Sequence, residues 1–237
     1  MKAGLFLAFF FCLSAAVMAQ QKFSIEVTAG AASSFSKATS SVDGGNIPMQ
    51  SNIGMNAGLS FLFPLSENWQ LYSEVGFYPN ALRNGVKTSK TDFGVYYPRP
   101  AQIPSVLPSF SLGTRYNFEV KNQPFFIQPG LVLSTSTSLG TANEFNNPAG
   151  SSLLEQTNKV AVAFRVDVGT KFMTKNDNYF VLGLRYQQGL TEMNRYTNPL
   201  IYDSSKVGTV TEVTRGSYLG VFAGYGFNSR NWKKSKR

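Results

Sequence analysis

The sequence has no histidine, one cysteine (Cys12) and little charge, 15% of its 237 residues. Without imidazole there is no Ser-His or Cys-His catalytic pair, no histidine metal site and no histidine pH switch. No stretch beyond the first twenty residues has 18 consecutive apolar residues, which excludes a helical membrane span there. The chain is rich instead in Phe (20), Tyr (11) and Gly (21). Aromatic residues favour strands, and Gly marks turns, bulges and close backbone approach, so the composition points to an all-β protein. The length suits one barrel-sized domain. The formal charge is +9, from 22 Lys and Arg against 13 Asp and Glu.

The first nineteen residues read as a cleaved signal peptide. Lys2 forms the positive n-region and Leu5 to Val17 the apolar h-region. Val17-Met18-Ala19 places small residues at the cleavage site before Gln20. The apolar run is too short for an anchor helix, which needs roughly 18 to 20 residues. Phe11 before Cys12 argues against a lipoprotein. Cleavage after Ala19 removes the only thiol, which suits an oxidising compartment.

From residue 20 onward, apolar and polar residues alternate with period two in eight stretches. Phe23, Ile25, Val27 and Ala29 define the first. Ile53 to Phe61, Leu71 to Phe77, Phe110 to Phe118, Phe125 to Leu133, Val160 to Phe172, Phe180 to Tyr186 and Leu219 to Phe227 define the others. Three connections are short: Pro64 to Asn68, Glu119 to Pro124 and Thr174 to Asn178. Four are long and polar: Lys37 to Gln50, Asn80 to Ser105, Leu139 to Asn158 and Gln187 to Arg215. Short turns at one end and long loops at the other are the pattern of a bacterial outer-membrane barrel with extracellular loops and periplasmic termini. The expectation is an eight-stranded antiparallel up-and-down transmembrane β-barrel over residues 20–228, followed by a basic periplasmic tail, 229–237.

Alternation does not say which face is inside, because a secreted soluble barrel would turn its apolar face inward. Two features favour lipid outside. The polar face carries eleven glycines, from Gly30 to Gly226, which weaken strands unless a narrow lumen needs the room. The apolar face holds more Phe, Leu, Ile and Val than such a lumen could contain. Phe63 with Trp69, Phe118 with Phe125, Phe172 with Tyr179, and Phe227 read as an interfacial girdle. Pro129 lies within the fifth strand, and its missing N–H must fall at a bulge or a non-bonded site.

With this parity, Glu26, Glu74, Arg115, Arg165, Asp167, Lys171 and Arg185 all face inward and are expected to form one ion-pair network. In so narrow a lumen the network reads as a plug of paired charges, with an ionic gate for small solutes as the alternative. No enzymatic activity is expected. Glu26 and Glu74 are the only paired carboxylates of note, and the inward arginines neutralise them. No cofactor is expected, and neither Glu144 to Asn147 nor Asp177-Asn178 has the spacing of a Ca²⁺ loop.

The tail carries Arg230, Trp232, Lys233, Lys234, Lys236 and Arg237. It reads as contact with anionic headgroups of outer-membrane lipids or as a dock for a periplasmic partner; nucleic acid is not an expected partner of an exported barrel. Tyr96, Tyr97, Arg99, Arg195, Tyr196 and Asn198, in the second and fourth long loops, are candidate contacts to another envelope protein, as are Trp232, Lys233 and Lys234.

Three segments carry a family resemblance: LGLRYQQGLTEMN from Leu182 to Asn194, the preceding VAVAFRVDVGTKF, and the closing SYLGVFAGYGF. Together with IPSVLPSFSLGTRYNF and PFFIQPGLVL, they make the chain resemble the PorT-like family of small outer-membrane β-barrels of Bacteroidota. In that family an RY-x-x-GLT stretch begins the last long loop and a Gly and aromatic strand ends the barrel. The resemblance implies architecture rather than chemistry and carries over no catalytic residues. It also implies a possible place in type 9 secretion or gliding, in which a few members take part. The basic tail is not part of the shared pattern. Two classes therefore stand: a structural or accessory barrel acting through its loops or tail, and a narrow channel or small-ligand binder acting through its lumen.

Overall fold

A computed structural model describes residues 23–41, 50–79, 106–135, 142–147, 150–156, 158, 160–174, 178–202 and 205–228. The signal-like segment 1–19, the whole Asn80 to Ser105 connection and the tail 229–237 lie outside the described residues.

The described residues form eleven strands: β1 (Ser24–Ser40), β2 (Gln50–Pro64), β3 (Trp69–Pro79), β4 (Val106–Val120), β5 (Gln123–Thr135), β6 (Ala142–Asn147), β7 (Gly150–Gln156), β8 (Val160–Met173), β9 (Tyr179–Gly189), β10 (Asn194–Tyr202) and β11 (Ser205–Asn228). Eight of them, β1 to β5, β8, β9 and β11, pair antiparallel in sequence order. Pairing of β1 with β11, from Ser24↔Asn228 onward, closes them into a barrel.

The other three strands lie in connections that polarity alone marked as loops. The β10–β11 hairpin continues the wall above β9, β7 pairs with β10, and β6 pairs with β7. The β11 half of that hairpin is rich in Val and Thr, which are strand formers. Its strands lack apolar alternation because, beyond the lipid band, neither face has to be apolar.

The faces separate as the alternation requires. Val27, Leu59, Val75, Leu112, Leu131, Val168, Leu182 and Val221 point outward and are exposed. Among the described residues, no charged side chain occupies an outward position of the band, from Ile25 to Phe35 on β1 round to Ser217 to Phe227 on β11. An apolar belt this extensive is unfavourable in water and matched to a lipid environment. Aromatic rings gather at the short-turn end: Trp69 with Tyr116 at 4.9 Å, Phe118 with Phe125 at 6.0 Å, and Tyr225 with Phe227 at 4.7 Å. Tyr179 is not part of that girdle. Phe172 faces Phe180 across the strands, and Tyr179 turns into the lumen.

The turns are tight. Val120 pairs with Gln123, so the β4–β5 turn is only Lys121 and Asn122, both at positive φ (50° and 64°) as a two-residue primed turn requires. Pro129 falls at a gap rather than a bulge. The β4–β5 ladder stops at Gly113↔Gly130 and resumes in the same register at Tyr116↔Ile127. Toward β8 the pairing continues through Pro129↔Val166.

The inward glycines admit inward rings. A Cβ on Gly169 would come 2.7 Å from the Phe126 ring, and one on Gly183 would come 2.6 Å from the Phe222 ring. Gly130 is likewise occupied by the Tyr72 hydroxyl, and Gly226 by the Tyr179 ring.

Candidate functional site

The lumen holds six charged side chains that are 1–2% exposed: Glu26, Glu74, Arg115, Arg165, Asp167 and Arg185. A buried charge is tolerated only when it is paired and hydrogen-bonded, so the partners define the site. Antiparallel alternation presents each residue inward from a different part of the wall.

These charges divide into two groups rather than one network. In the first, Arg115 on β4 crosses the lumen to Glu26 on β1 and donates from Nη1 and Nη2 to the two carboxylate oxygens, the Nη2 bond being 2.7 Å. The Tyr179 hydroxyl donates to the same carboxylate at 2.7 Å. Arg115 Nε donates to Gln128, and its guanidinium lies 4.2 Å from the Phe126 ring centre. The acid therefore has three donors, and the base has a carboxylate, an amide and an aromatic face. Lys171 lies beside this group without an ion pair. Its Nζ donates to Asn117 Oδ1 at 2.7 Å and sits over the Phe126 and Tyr179 rings.

In the second group, Glu74 on β3 accepts from Arg165 Nη1 at 2.7 Å, Arg185 Nη2 at 2.9 Å and Ser60 Oγ at 2.9 Å. Arg185 is also the cross-strand neighbour of Asp167, and donates to it from Nε at 3.0 Å and Nη2 at 2.8 Å. Arg165 Nε lies 3.6 Å from Asp167 Oδ1. Among the described residues no hydrogen bond or ion pair joins the two groups. In both groups the guanidinium faces are covered by Phe126, Tyr72 and Phe222, which enter the lumen through the space left by glycines.

Toward the long-connection end the buried charges give way to neutral side chains, the polar ones including Ser34, Ser134, Gln187 and Thr214. Tyr78, Leu107, Met193 and Tyr218 form a buried cluster with Ala32 and Ala161. The Tyr78 and Tyr218 rings stack at 5.2 Å, and the Tyr78 hydroxyl donates to Ser134 Oγ at 2.7 Å.

Sequence reasoning missed these inward aromatic residues, although the signal was present. Tyr72, Phe126, Tyr179 and Phe222 all fall on the polar parity of their strands. Each has a glycine across the ladder on at least one side, Gly113, Gly169, Gly226 and Gly183 in turn, which is where a ring can fit.

Arg195 is exposed on β10, where its Nη2 donates to Glu192 at 3.0 Å. Tyr196 and Asn198 belong to the same paired strand, opposite Glu212 and Val210 on β11. Tyr96, Tyr97, Arg99, Trp232, Lys233 and Lys234 lie outside the described residues.

A family model described as outer membrane protein beta-barrel domain matches residues 18–195. Among solved structures, the chain is similar to OprG from Pseudomonas aeruginosa, with 13% identity over 87% of this chain and 97% of that one, at a TM-score of 0.47. It is also similar to the N-terminal β-barrel domain of Pseudomonas aeruginosa OprF, with 13% identity over 88% and 98%, at 0.40. Neisserial surface protein A gives 15% identity over 84% and 95%, at 0.41. No curated protein matches the chain.

Proposed function

The chain belongs to the outer membrane protein beta-barrel domain family, and from that premise we propose that this integral outer-membrane barrel is a structural or accessory component of the envelope. It acts through what projects from the long-connection end or through its tail, not by conducting solutes. One observation carries this reading. The lumen is crossed from wall to wall by Arg115–Glu26 and by Arg165 and Arg185 on Glu74, all buried. An eight-stranded barrel is just wide enough for side chains to fill. The long connections then face the cell exterior, and the termini the periplasm.

The sheet of β6, β7, β10 and upper β11 supports the same reading, since it extends the wall beyond the end of β9 and offers a surface for another envelope protein. The resemblance of LGLRYQQGLTEMN to the PorT-like pattern supports a place beside a secretion assembly. The experiment is gentle solubilisation of outer membranes containing the tagged chain, followed by mass spectrometry. A protein co-purifying at fixed stoichiometry supports an accessory subunit. A barrel that always purifies alone, and whose loss leaves envelope assemblies intact, contradicts it.

A narrow channel or small-ligand barrel gated by the same charges is the second reading. It is favoured by buried Arg165, whose Nε and Nη2 make no hydrogen bond. A guanidinium with spare donors can exchange partners.

A further inference from the structure

Between β9 and β10 the pairing along β11 is interrupted. Gln187 pairs with Tyr218 and Asn194 pairs with Thr214, so residues 188–193 stand opposite only residues 215–217. A strand that carries surplus residues must put them somewhere. Gln188 and Gly189 stay in the wall opposite Phe164 and Ala163, and Leu190 points outward, so the surplus is taken up at Thr191 to Met193, where Met193 turns inward and is fully buried.

The excursion is held on both sides. Leu190 N donates to Val162 O at 2.9 Å, and Val162 N donates to the Thr191 hydroxyl at 2.9 Å. On the other flank Met193 N donates to Thr214 O at 2.8 Å. Asn158 Nδ2 donates to Glu192 O at 2.8 Å. The Glu192 carboxylate lies between Arg195, at 3.0 Å, and Arg215, at 3.5 Å.

β11 is shaped to receive the buried side chain. Its register against β1 shifts after Phe35↔Ser217, and Gly216 there has φ +73°. A Cβ on Gly216 would lie 2.7 Å from the Tyr78 hydroxyl and 3.1 Å from Met193 Sδ. Glycine is thus needed twice, for the left-handed backbone and for room. The Met193 thioether lies 3.7 Å from the Tyr78 hydroxyl.

We propose that the segment 190–193 is a strap that carries Met193 as a stopper, a cork closing the long-connection end of the lumen independently of the ion pairs below. The lumen is then closed twice in series, by an apolar stopper at the mouth and by paired charges deeper in. Methionine suits the task, because an unbranched, flexible side chain fills an irregular gap between two tyrosines and leaves it without breaking a covalent or ionic bond. The strap is tied by neutral hydrogen bonds and by one carboxylate at the rim. Local opening of such a segment leaves the rest of the wall intact.

The inference deepens the closed-lumen reading and rests on it, and the test separates the two. Ser134 lies under the cork, 1% exposed and bonded to Tyr78, and Ser134→Cys is nearly isosteric. In a Cys12→Ser background this gives a single thiol, whose reaction with a water-soluble, membrane-impermeant methanethiosulfonate is followed in the folded full chain in lipid vesicles. With Met193 present the thiol reacts slowly. With Met193→Gly it reacts at least about tenfold faster, and with Met193→Leu it stays protected. Thr191→Val loosens the strap without touching the cluster and gives an intermediate rate, which keeps the test in hand if the Met193→Gly chain does not fold. Equal, slow rates in every background overturn the cork and leave the closed lumen standing. Equal, fast rates overturn the cork as well, and leave the paired charges below Ser134 as the closure.

Discussion

Arg115 and Glu26 meet across the full width of the lumen, from β4 and β1, in two parallel guanidinium–carboxylate hydrogen bonds. Strands that are not neighbours in the sheet are thereby tied through the interior. Such a tie contributes to the single closed geometry as well as to satisfying two buried charges.

Breaking that tie from one side is costly. Arg115→Ala leaves Glu26 buried with only the Tyr179 hydroxyl as a donor, and should destabilise the barrel by about 3–5 kcal/mol. Replacing both residues together, as Arg115→Met with Glu26→Leu, should recover most of the loss. Urea unfolding in vesicles, followed by the fluorescence of Trp69, reads both.

The glycine and aromatic pairs make a second prediction. Gly169→Ala forces a Cβ against Phe126 and should cost about 1–3 kcal/mol. Adding Phe126→Leu should relieve the ring contact and recover part of the loss, leaving the contact of the new Cβ with Leu182 O, at 2.6 Å. A double-mutant cycle on the same unfolding assay gives a coupling energy of opposite sign to the single losses; simple additivity would contradict the packing described.

Much of this was legible in the sequence, because period-two alternation is a direct imprint of lipid on one face and a narrow interior on the other. Val160 to Phe172 declares both its strand and its parity, and parity alone sends Arg165, Asp167 and Arg185 inward. Their sorting into two groups was not legible, since it depends on which walls face each other across the lumen. Nor were β6, β7 and β10, whose strands lie where no apolar face is required. Met193 gave no signal either: it follows the RY-x-x-GLT stretch and enters the lumen only because residues 188–193 outnumber what β11 can pair.

Face assignment predicts a sharp asymmetry between neighbours. Leu182→Arg puts a guanidinium on the outward band and should cost roughly 2–4 kcal/mol if it lies near mid-depth, with a loss of insertion into bilayers. Leu190→Arg, exposed beyond the end of β9, should insert nearly as the parent does. Fold yield in vesicles compares them.

The raised hairpin should be separable from the wall. Removing residues 196–212 takes the upper β10–β11 pairing but leaves Tyr218↔Gln187 through Gly226↔Tyr179 and the β1–β11 seam below. The shortened chain should fold as a barrel, with a strand signal in circular dichroism reduced only by the strand residues removed and those paired with them. It should also lose any envelope protein that co-purifies with the parent chain. Retention of that partner would move the contact to the tail or to another connection.

The closed lumen is tested most directly by planar-bilayer recording from the folded full chain. Buried charges paired from wall to wall, beneath a sealed mouth, predict a flat baseline with no discrete conductance steps. Steady single-channel openings, altered in size or ion preference by Arg185→Ala, would contradict it and make the barrel a conduit.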